Sequence, residues 1–499
     1  MNKILLFNPR SARAKRRIPN SIMSIAASVE GLYEWVIVDG NCEREPYDKI
    51  SAYLSSGEFK YVGFSVMPGP SLLQAIPLAK KVKKQYPQTI MVWGGYFASN
   101  QYQVVIQADY VDYVIYGPGD HAFPQLIHAL EKGLPLQRIK SLIYKSDGRI
   151  IRNQKEELID QQTLPSLPYE KLNSFYPIEK YLGKGYLGRR TLAYHSSVGC
   201  PFSCSFCAVV PIYNARWKAK PAAMVYQDIK YIKDRWHADA IEFHDNNFFV
   251  SEKRTVEFSR LILQENMTWW GEGRIDTINK YSDTSLELMR KAGCKMIFFG
   301  AETGNDTVLK KMNKGGTLCA DEMKRFAARM KKFDIIPEYS FVLGTPFPTK
   351  KEVMKQIDFD LNFIREIKSI NPDTEIIIYV YSPVPVEDST LYNEVLADGF
   401  RFPRTLEEWI SPHWINFDLR KNPLTPWLTP RMINRIKDFE TVLNGCYSTV
   451  SDIRLNKVKR NILHALSLPR YLTGFYWRPY ELKALQILWK YRQPEIDGF

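Results

Sequence analysis

The stretch CPFSCSFC places Cys200, Cys204 and Cys207 within eight positions, and no further cysteine stands close by. Thiolates this near one another can wrap a single metal object, and Pro201, Ser203 and Ser205 suit the tight loop that requires. Three thiolates can hold a cubane iron-sulfur cluster while leaving one iron without a protein ligand. A zinc site completed by Cys294, Cys319 or a histidine is the other reading, but zinc ligands usually come as CxxC pairs from two places and no second pair exists. The remaining cysteines stand singly and the total of seven is odd, so a disulfide framework is not expected.

The elements around this loop must position it. TLAYHSSV runs directly into Cys200, and DAIEFHDNNFF, TWWGEGRID, KMIFFGAE, IPEYSFVLG and EIIIYVYSPV follow, separated by amphipathic stretches. Apolar strands alternating with helical patterns make βαβ units. Six units predict an open, partial barrel whose active site lies at the carboxyl ends of its strands.

Before it, KILLFNP, YEWVIVDG, YVGFSV, TIMVWGG and YVIYG predict a five-stranded doubly wound domain. Its strand ends carry Asn8-Pro9, Asp39-Gly40, Ser65, Gly94-Gly95 and Gly117-Pro118-Gly119, small residues that admit a large ligand. No GxGxxG follows the first strand, which disfavours a nicotinamide or flavin dinucleotide.

The fold class expected is therefore α/β, with a doubly wound domain over 1–139 and a hairpin and linker over 140–190. A partial (β/α)6 barrel follows over 191–399, and a helical, basic, aromatic-rich appendage over 400–499. The hairpin should turn at Asp147-Gly148. In the appendage, Trp409, Trp414, Trp427, Trp477 and Trp489 either pack in a core, line an apolar substrate's route or lie on a membrane surface.

With 499 residues, 45% of them apolar and 24% charged, the composition is that of globular domains. No run of eighteen apolar residues appears, and the N-terminal order of apolar then basic residues is the reverse of a secretory signal, so a cytoplasmic location is expected. Net charge is +14, and residues 401–499 hold sixteen Lys and Arg against nine Asp and Glu. That favours an acidic partner: a phosphorylated substrate, an anionic membrane or nucleic acid.

The CxxxCxxC string, with Phe206 before its last cysteine, resembles the signature of the radical S-adenosylmethionine (SAM) superfamily. Further matches follow at successive strand ends: HDNNF with Asp245 and Asn246, GRID with Arg274, FFGAETG with Glu302, and VLGTPFPT with Gly344 and Pro346. The resemblance implies a 4Fe-4S cluster on the three cysteines and SAM on its open iron, bordered by those residues. It also implies reductive cleavage of SAM to a 5′-deoxyadenosyl radical, fed by an electron donor such as flavodoxin or ferredoxin.

The first domain resembles the cobalamin-binding class of that superfamily through YVGFSVMPGPSLLQA, MVWGGYFAS and YVIYGPGDHAF. Cobalamin would meet Asn8, Ser65, Gly94, Gly95, Gly117 and Gly119. Two departures stand out. VDGNCER lacks the histidine of the Asp-x-His-x-x-Gly motif, and Pro118 and Asp120 replace the two glutamates of a Gly-Glu-Gly-Glu turn.

Methylation of an unactivated carbon in a small-molecule or lipid-like substrate is the leading reaction so implied. The superfamily's anaerobic magnesium-protoporphyrin ester cyclases share the layout, so radical oxidation, cyclisation or rearrangement is the alternative. A nucleic-acid-binding protein with a structural cluster, or a carrier without catalysis, are the readings of another class. His195 and His244 lie near strand ends and could act as acid or base, though packing in the core or hydrogen bonding to a site residue is the commoner role for histidines so placed.

Overall fold

The structure is a computed structural model that describes residues 2–11, 16–314, 318–387, 389–414 and 425–491. Its first sheet contains β1 (Lys3–Asn8), β2 (Trp35–Asp39), β3 (Phe59–Ser65), β4 (Ile90–Gly94), β5 (Tyr113–Ile115), β6 (Leu142–Ser146) and β7 (Arg149–Arg152) in the order β2-β1-β3-β4-β5-β6-β7. The first five are parallel, and runs such as Ile4, Leu5, Leu6 and Phe7 are wholly buried because helices cover both faces. The order reverses between β1 and β3, so the ligand crevice of such a sheet opens at Asn8 and Ser65.

Seven strands stand where five were expected. The hairpin β6-β7 turns back and pairs antiparallel with β5, placing the start of the expected linker in the first sheet. β5 has three residues and would otherwise leave an open edge, which the hairpin covers.

The second sheet holds β8 (Thr191–Tyr194), β11 (Ala240–Phe243), β12 (Thr268–Gly273), β13 (Cys294–Glu302), β14 (Ile336–Leu343) and β15 (Glu375–Val380). All neighbours are parallel, in the order β15-β14-β13-β12-β11-β8, and the two edge strands are not paired with each other. This is the expected open partial barrel. Phe243, Phe248, Phe249, Phe258 and Trp269 form an aromatic core under its helices.

Between β8 and β11 lies a small antiparallel pair not foreseen in the sequence, β9 (Ser197–Gly199) and β10 (Trp217–Ala219). It returns the chain after the cysteine loop. The helices Pro430–Cys446, Lys457–Thr473 and Tyr480–Trp489 form the outer layer of the C-terminal region. Among the described residues no helix is long and apolar enough to cross a membrane.

Candidate active site

β9 delivers the chain into the cysteine loop through Gly199, whose φ is +77° and whose added Cβ would lie 2.2 Å from the Arg216 carbonyl oxygen. No other residue fits that corner. The loop itself is pinned on the far side by β13's successor helix: Ser205 donates its N–H to Met312 O at 2.9 Å and its hydroxyl to Lys311 O at 3.0 Å. Asn313 Nδ2 also donates to Ser203 O at 2.8 Å.

The three thiols are free of disulfides, Cys204 is buried, and burial pushes Cys207 up to about 12 and raises Cys200. Cationic iron reverses that preference, because the thiolate is the form a metal binds. Among the described residues no three His, Cys, Asp or Glu side chains close on one metal ion. Cys294 cannot complete a zinc site with the loop, since it lies at the opposite, amino-terminal end of β13. A cubane asks for wider spacing, as each thiolate bonds a different iron.

Two side chains donate to these sulfurs. Arg274 Nη1 lies 3.3 Å from Cys204 Sγ, and Asn247 Nδ2 lies 3.8 Å from Cys200 Sγ. Arg274 is held in place by Asp276 through Nε at 2.9 Å and Nη2 at 2.7 Å, and its guanidinium covers the Phe202 ring at 3.9 Å. Such donors tune the potential of a cluster.

Asp245 and Asn246 take different places from those their motif suggests. Asp245 is buried and accepts from Ser196 N at 2.7 Å, Ser196 Oγ at 2.5 Å and Ser197 Oγ at 2.6 Å. Its carboxylate holds the β8-β9 corner on which the cysteine loop is built. Asn246 is exposed, while the next residue, Asn247, turns toward Cys200. Only the tertiary fold separates these adjacent asparagines.

Glu302 sits at a bulge, where the register with β14 shifts between Gly300 and Glu302, and its φ is +65°. A non-glycine residue there is strained, and the strain aims its carboxylate at Lys314, with which it forms a buried ion pair. Gly300 makes room: an added Cβ would lie 2.1 Å from Glu302 Oε1 and 2.3 Å from Lys314 Nζ. Lys314 was not singled out in the sequence, because nothing in KMNKGG distinguishes it from its neighbouring lysines. Its Nζ also lies 5.7 Å from the Phe206 ring centroid, and its carbonyl accepts from Arg274 Nη2 at 3.3 Å.

At the next strand end Gly344 has φ +83°, and its carbonyl accepts from Trp427 Nε1 at 2.9 Å. Pro346 O accepts from Lys311 Nζ at 2.9 Å. Trp427 packs against Tyr381, so the C-terminal region closes over this edge of the barrel.

The other candidate crevice faces the cysteine loop. Gly95 (φ +88°) opens the helix Gly95–Asn100, and Asn100 Nδ2 donates to Ala208 O, one residue beyond Cys207, at 3.3 Å. Ser65 Oγ meets Ser21 Oγ at 2.9 Å, and Gly117 N donates to Ser99 Oγ at 2.9 Å. At Gly119 an added Cβ would meet Ile25 Cδ1 at 2.9 Å. Gly94, with φ −143°, is extended. Asn8 Nδ2 is spent on Asp39 Oδ1 at 2.9 Å, and Asp39 also accepts from Tyr181 Oη at 2.7 Å.

The strand order moves the place where a lower cobalt ligand would be sought. It is the loop after β1, not VDGNCER after β2, and residues 9–19 contain no histidine either. Part of that loop, 12–15, lies outside the described residues. The small residues at the switch point leave room for a bulky ligand such as cobalamin.

Between the two crevices the sheet presents Glu242, His244, Trp270 and Glu272 to the first domain. Arg17 Nη2 lies 3.5 Å from Glu242 Oε2, and Asn20 Nδ2 lies 3.0 Å from His195 Nδ1. The His195 and His244 rings are 6.1 Å apart. Glu272 is pushed up to about 8 by burial and by Asp245.

Residues 194–359 match the Radical SAM superfamily and residues 14–127 match the B12 binding domain. The chain is a radical SAM enzyme. More narrowly, it is one whose barrel is preceded by a cobalamin-binding domain, so its cofactors are a 4Fe-4S cluster, SAM and cobalamin.

It is 27% identical over 371 residues to an uncharacterized methyltransferase of Pyrococcus horikoshii, covering 72% of this chain and 77% of that one. Against the anaerobic magnesium-protoporphyrin IX monomethyl ester cyclase of Synechocystis it is 24% identical over 302 residues, 60% of this chain and 57% of the cyclase. Its fold is similar to that of TsrM from Kitasatospora setae, a radical SAM methyltransferase solved with cobalamin and a 4Fe-4S cluster. The TM-score is 0.67 at 15% identity, over 98% of this chain and 99% of that one.

Proposed function

We propose that the enzyme transfers a methyl group to an unactivated carbon of a small-molecule or lipid-like substrate. The observation that carries this is the contact of Asn100, from the helix at the first crevice, with Ala208, beside Cys207. That contact supports the reading because it joins the end of the first crevice to the cysteine loop.

Cys200, Cys204 and Cys207 would hold the cluster, with Arg274 and Asn247 donating to its sulfurs. Phe206, Glu302, Lys314, Gly344 and Pro346 would border SAM. Ser65, Gly94, Gly95, Gly117 and Gly119 would border cobalamin, and Asp245 would brace the loop. When bound, these groups supply a 5′-deoxyadenosyl radical from SAM and a methyl group for the substrate. The chain's part is positioning and exclusion of water: Trp427 covers one edge of the mouth, while a protonated Glu272 offers an uncharged hydrogen-bonding group. A small one-electron donor such as flavodoxin or ferredoxin is required, and seven free cysteines suit the reducing cytoplasm.

Similarity to the ester cyclases supports a second reading, radical oxidation or cyclisation without methyl transfer. One experiment tests both. Anaerobically reconstituted enzyme is given cobalamin, SAM carrying an isotopically labelled methyl group, and a reductant. Label on cobalamin together with 5′-deoxyadenosine supports methylation, and 5′-deoxyadenosine without label on cobalamin favours the second reading. If the parent makes no more 5′-deoxyadenosine than Cys204→Ala, both fail.

A further inference from the structure

The last two helices bury one face and leave the other apolar. On Lys457–Thr473, Leu463, Ser467 and Tyr471 recur at i, i+4 and i+8 and are buried. Val458, Ile462 and Leu466 have the same spacing and are exposed, Val458 by 66%. At about 100° per residue this second stripe, continued by Pro469 and Leu472, lies opposite the buried one, where a surface helix ordinarily carries charge.

Tyr480–Trp489 repeats the pattern. Leu482 is buried, and Tyr480, Ala484, Ile487 and Leu488 share an exposed face, Leu488 by 71%. Between the helices Phe475 and Trp477 are exposed as well. Both helices rest on the same element: an added Cβ at Gly445, in Pro430–Cys446, would lie 3.0 Å from Ser467 Cβ and 3.6 Å from Leu482 Cδ2. Their apolar stripes therefore both point away from the body of the protein.

The concentration is local. Of eighteen exposed large apolar side chains among the described residues, eleven fall between Val450 and Leu488, more than scattered surface hydrophobics would produce. The same stretch is strongly basic, with eight Lys and Arg against two acidic residues over 450–490. On the helical wheel Lys459 flanks the apolar stripe on one side, beside Arg470, which is paired with Glu481, and Lys457 flanks it on the other. Lys459 lies over the Trp489 ring at 5.5 Å and Arg478 over Trp477 at 4.8 Å.

From this we infer that the helical hairpin 457–489 is a docking surface for an anionic lipid bilayer. The apolar stripes, with Phe475, Trp477 and Tyr480 at the connecting turn, enter the headgroup boundary in plane, and the flanking cations meet lipid phosphates. A protein partner would need only the apolar part. The cationic rim on both sides of it, with aromatics at the turn, is the complement of a negatively charged interface.

The test uses the full chain loaded with its cofactors. It is mixed with vesicles of phosphatidylcholine alone and with vesicles in which about a third of the lipid is phosphatidylglycerol. Flotation is read at about 0.05 M and about 0.5 M salt. Binding to the anionic vesicles should exceed that to the neutral ones by about tenfold at low salt and fall at high salt. Ile462→Glu and Leu488→Glu should each lower it by about tenfold, and Leu263→Glu, exposed elsewhere on the surface, should not.

Trp477→Ser, in the turn, reads the same contact should a helix variant lose its fold, as judged by circular dichroism and retained cobalamin. The inference is overturned if the parent ignores both vesicles, or if Ile462→Glu, Leu488→Glu and Trp477→Ser bind as the parent does. It is also overturned if the parent is a dimer that these variants dissociate while none of the proteins floats, because the face would then belong to a second copy.

Discussion

Lys314 and Glu302, twelve residues apart in the chain, meet as an ion pair whose side chains are only 6% and 5% exposed, one at the end of a strained bulge and the other past the following helix. Breaking such a pair leaves one buried charge uncompensated, at a cost of about 3–5 kcal/mol. Lys314→Met should therefore lower thermal stability strongly and weaken SAM binding. Glu302→Gln with Lys314→Met, which removes both charges, should recover much of the stability and none of the SAM affinity. Calorimetry and equilibrium binding of SAM to the reconstituted enzyme check the two outcomes.

Arg274 donates to Cys204 Sγ while Asp276 fixes its guanidinium. A cation beside a cluster favours the reduced, more negative state. Arg274→Gln should shift the cluster potential to more negative values, on the order of tens of millivolts, with iron content retained. Arg274→Lys keeps the charge but not the fork and should shift it less. Redox titration followed by electron paramagnetic resonance measures both.

Gly199→Ala places a methyl group against the Arg216 carbonyl at a left-handed corner. The expected cost is more than about 1 kcal/mol, concentrated on the β9-β10 pair and the cysteine loop. Loss of iron on reconstitution should exceed the loss of cobalamin, since the first domain does not depend on that corner. Metal analysis and the absorbance of bound cobalamin separate the two.

Glu272 keeps its proton in the folded state up to about pH 8, whereas unfolded it would lose it near the ordinary value of 4.5. The unfolded state therefore binds fewer protons between those limits, and stability falls as pH rises from 4.5 to 8, by at most about 1.4 kcal/mol per pH unit. Glu272→Gln should flatten that slope and raise stability at pH 8 relative to the parent. Denaturant unfolding at pH 6, 7 and 8 shows whether it does.

Period and punctuation made much of this protein readable. The six strands of the barrel stand out because each is a short apolar run between amphipathic helices, and parallel burial on both faces demands that composition. β9 and β10 do not, because three residues beside Gly199 carry no period. The hairpin 142–152 was visible at Asp147-Gly148, and so was the strand YVIYG, but their pairing was not, since pairing is a choice made at a distance.

The cysteines, the glycines and the order of strand-end motifs are local facts, and the residues alone determined that a three-thiolate loop opens a barrel behind a doubly wound domain. Only the tertiary structure decided how the charged groups are used. It turned Asp245 into a brace for that loop, chose Asn247 over Asn246, and brought Lys314 to Glu302. It also left the last two helices with two apolar faces and one partner layer. Hydrophobic burial follows from pattern, whereas an ion pair, a hydrogen bond to sulfur or an uncovered face depends on which surfaces the packed elements bring together.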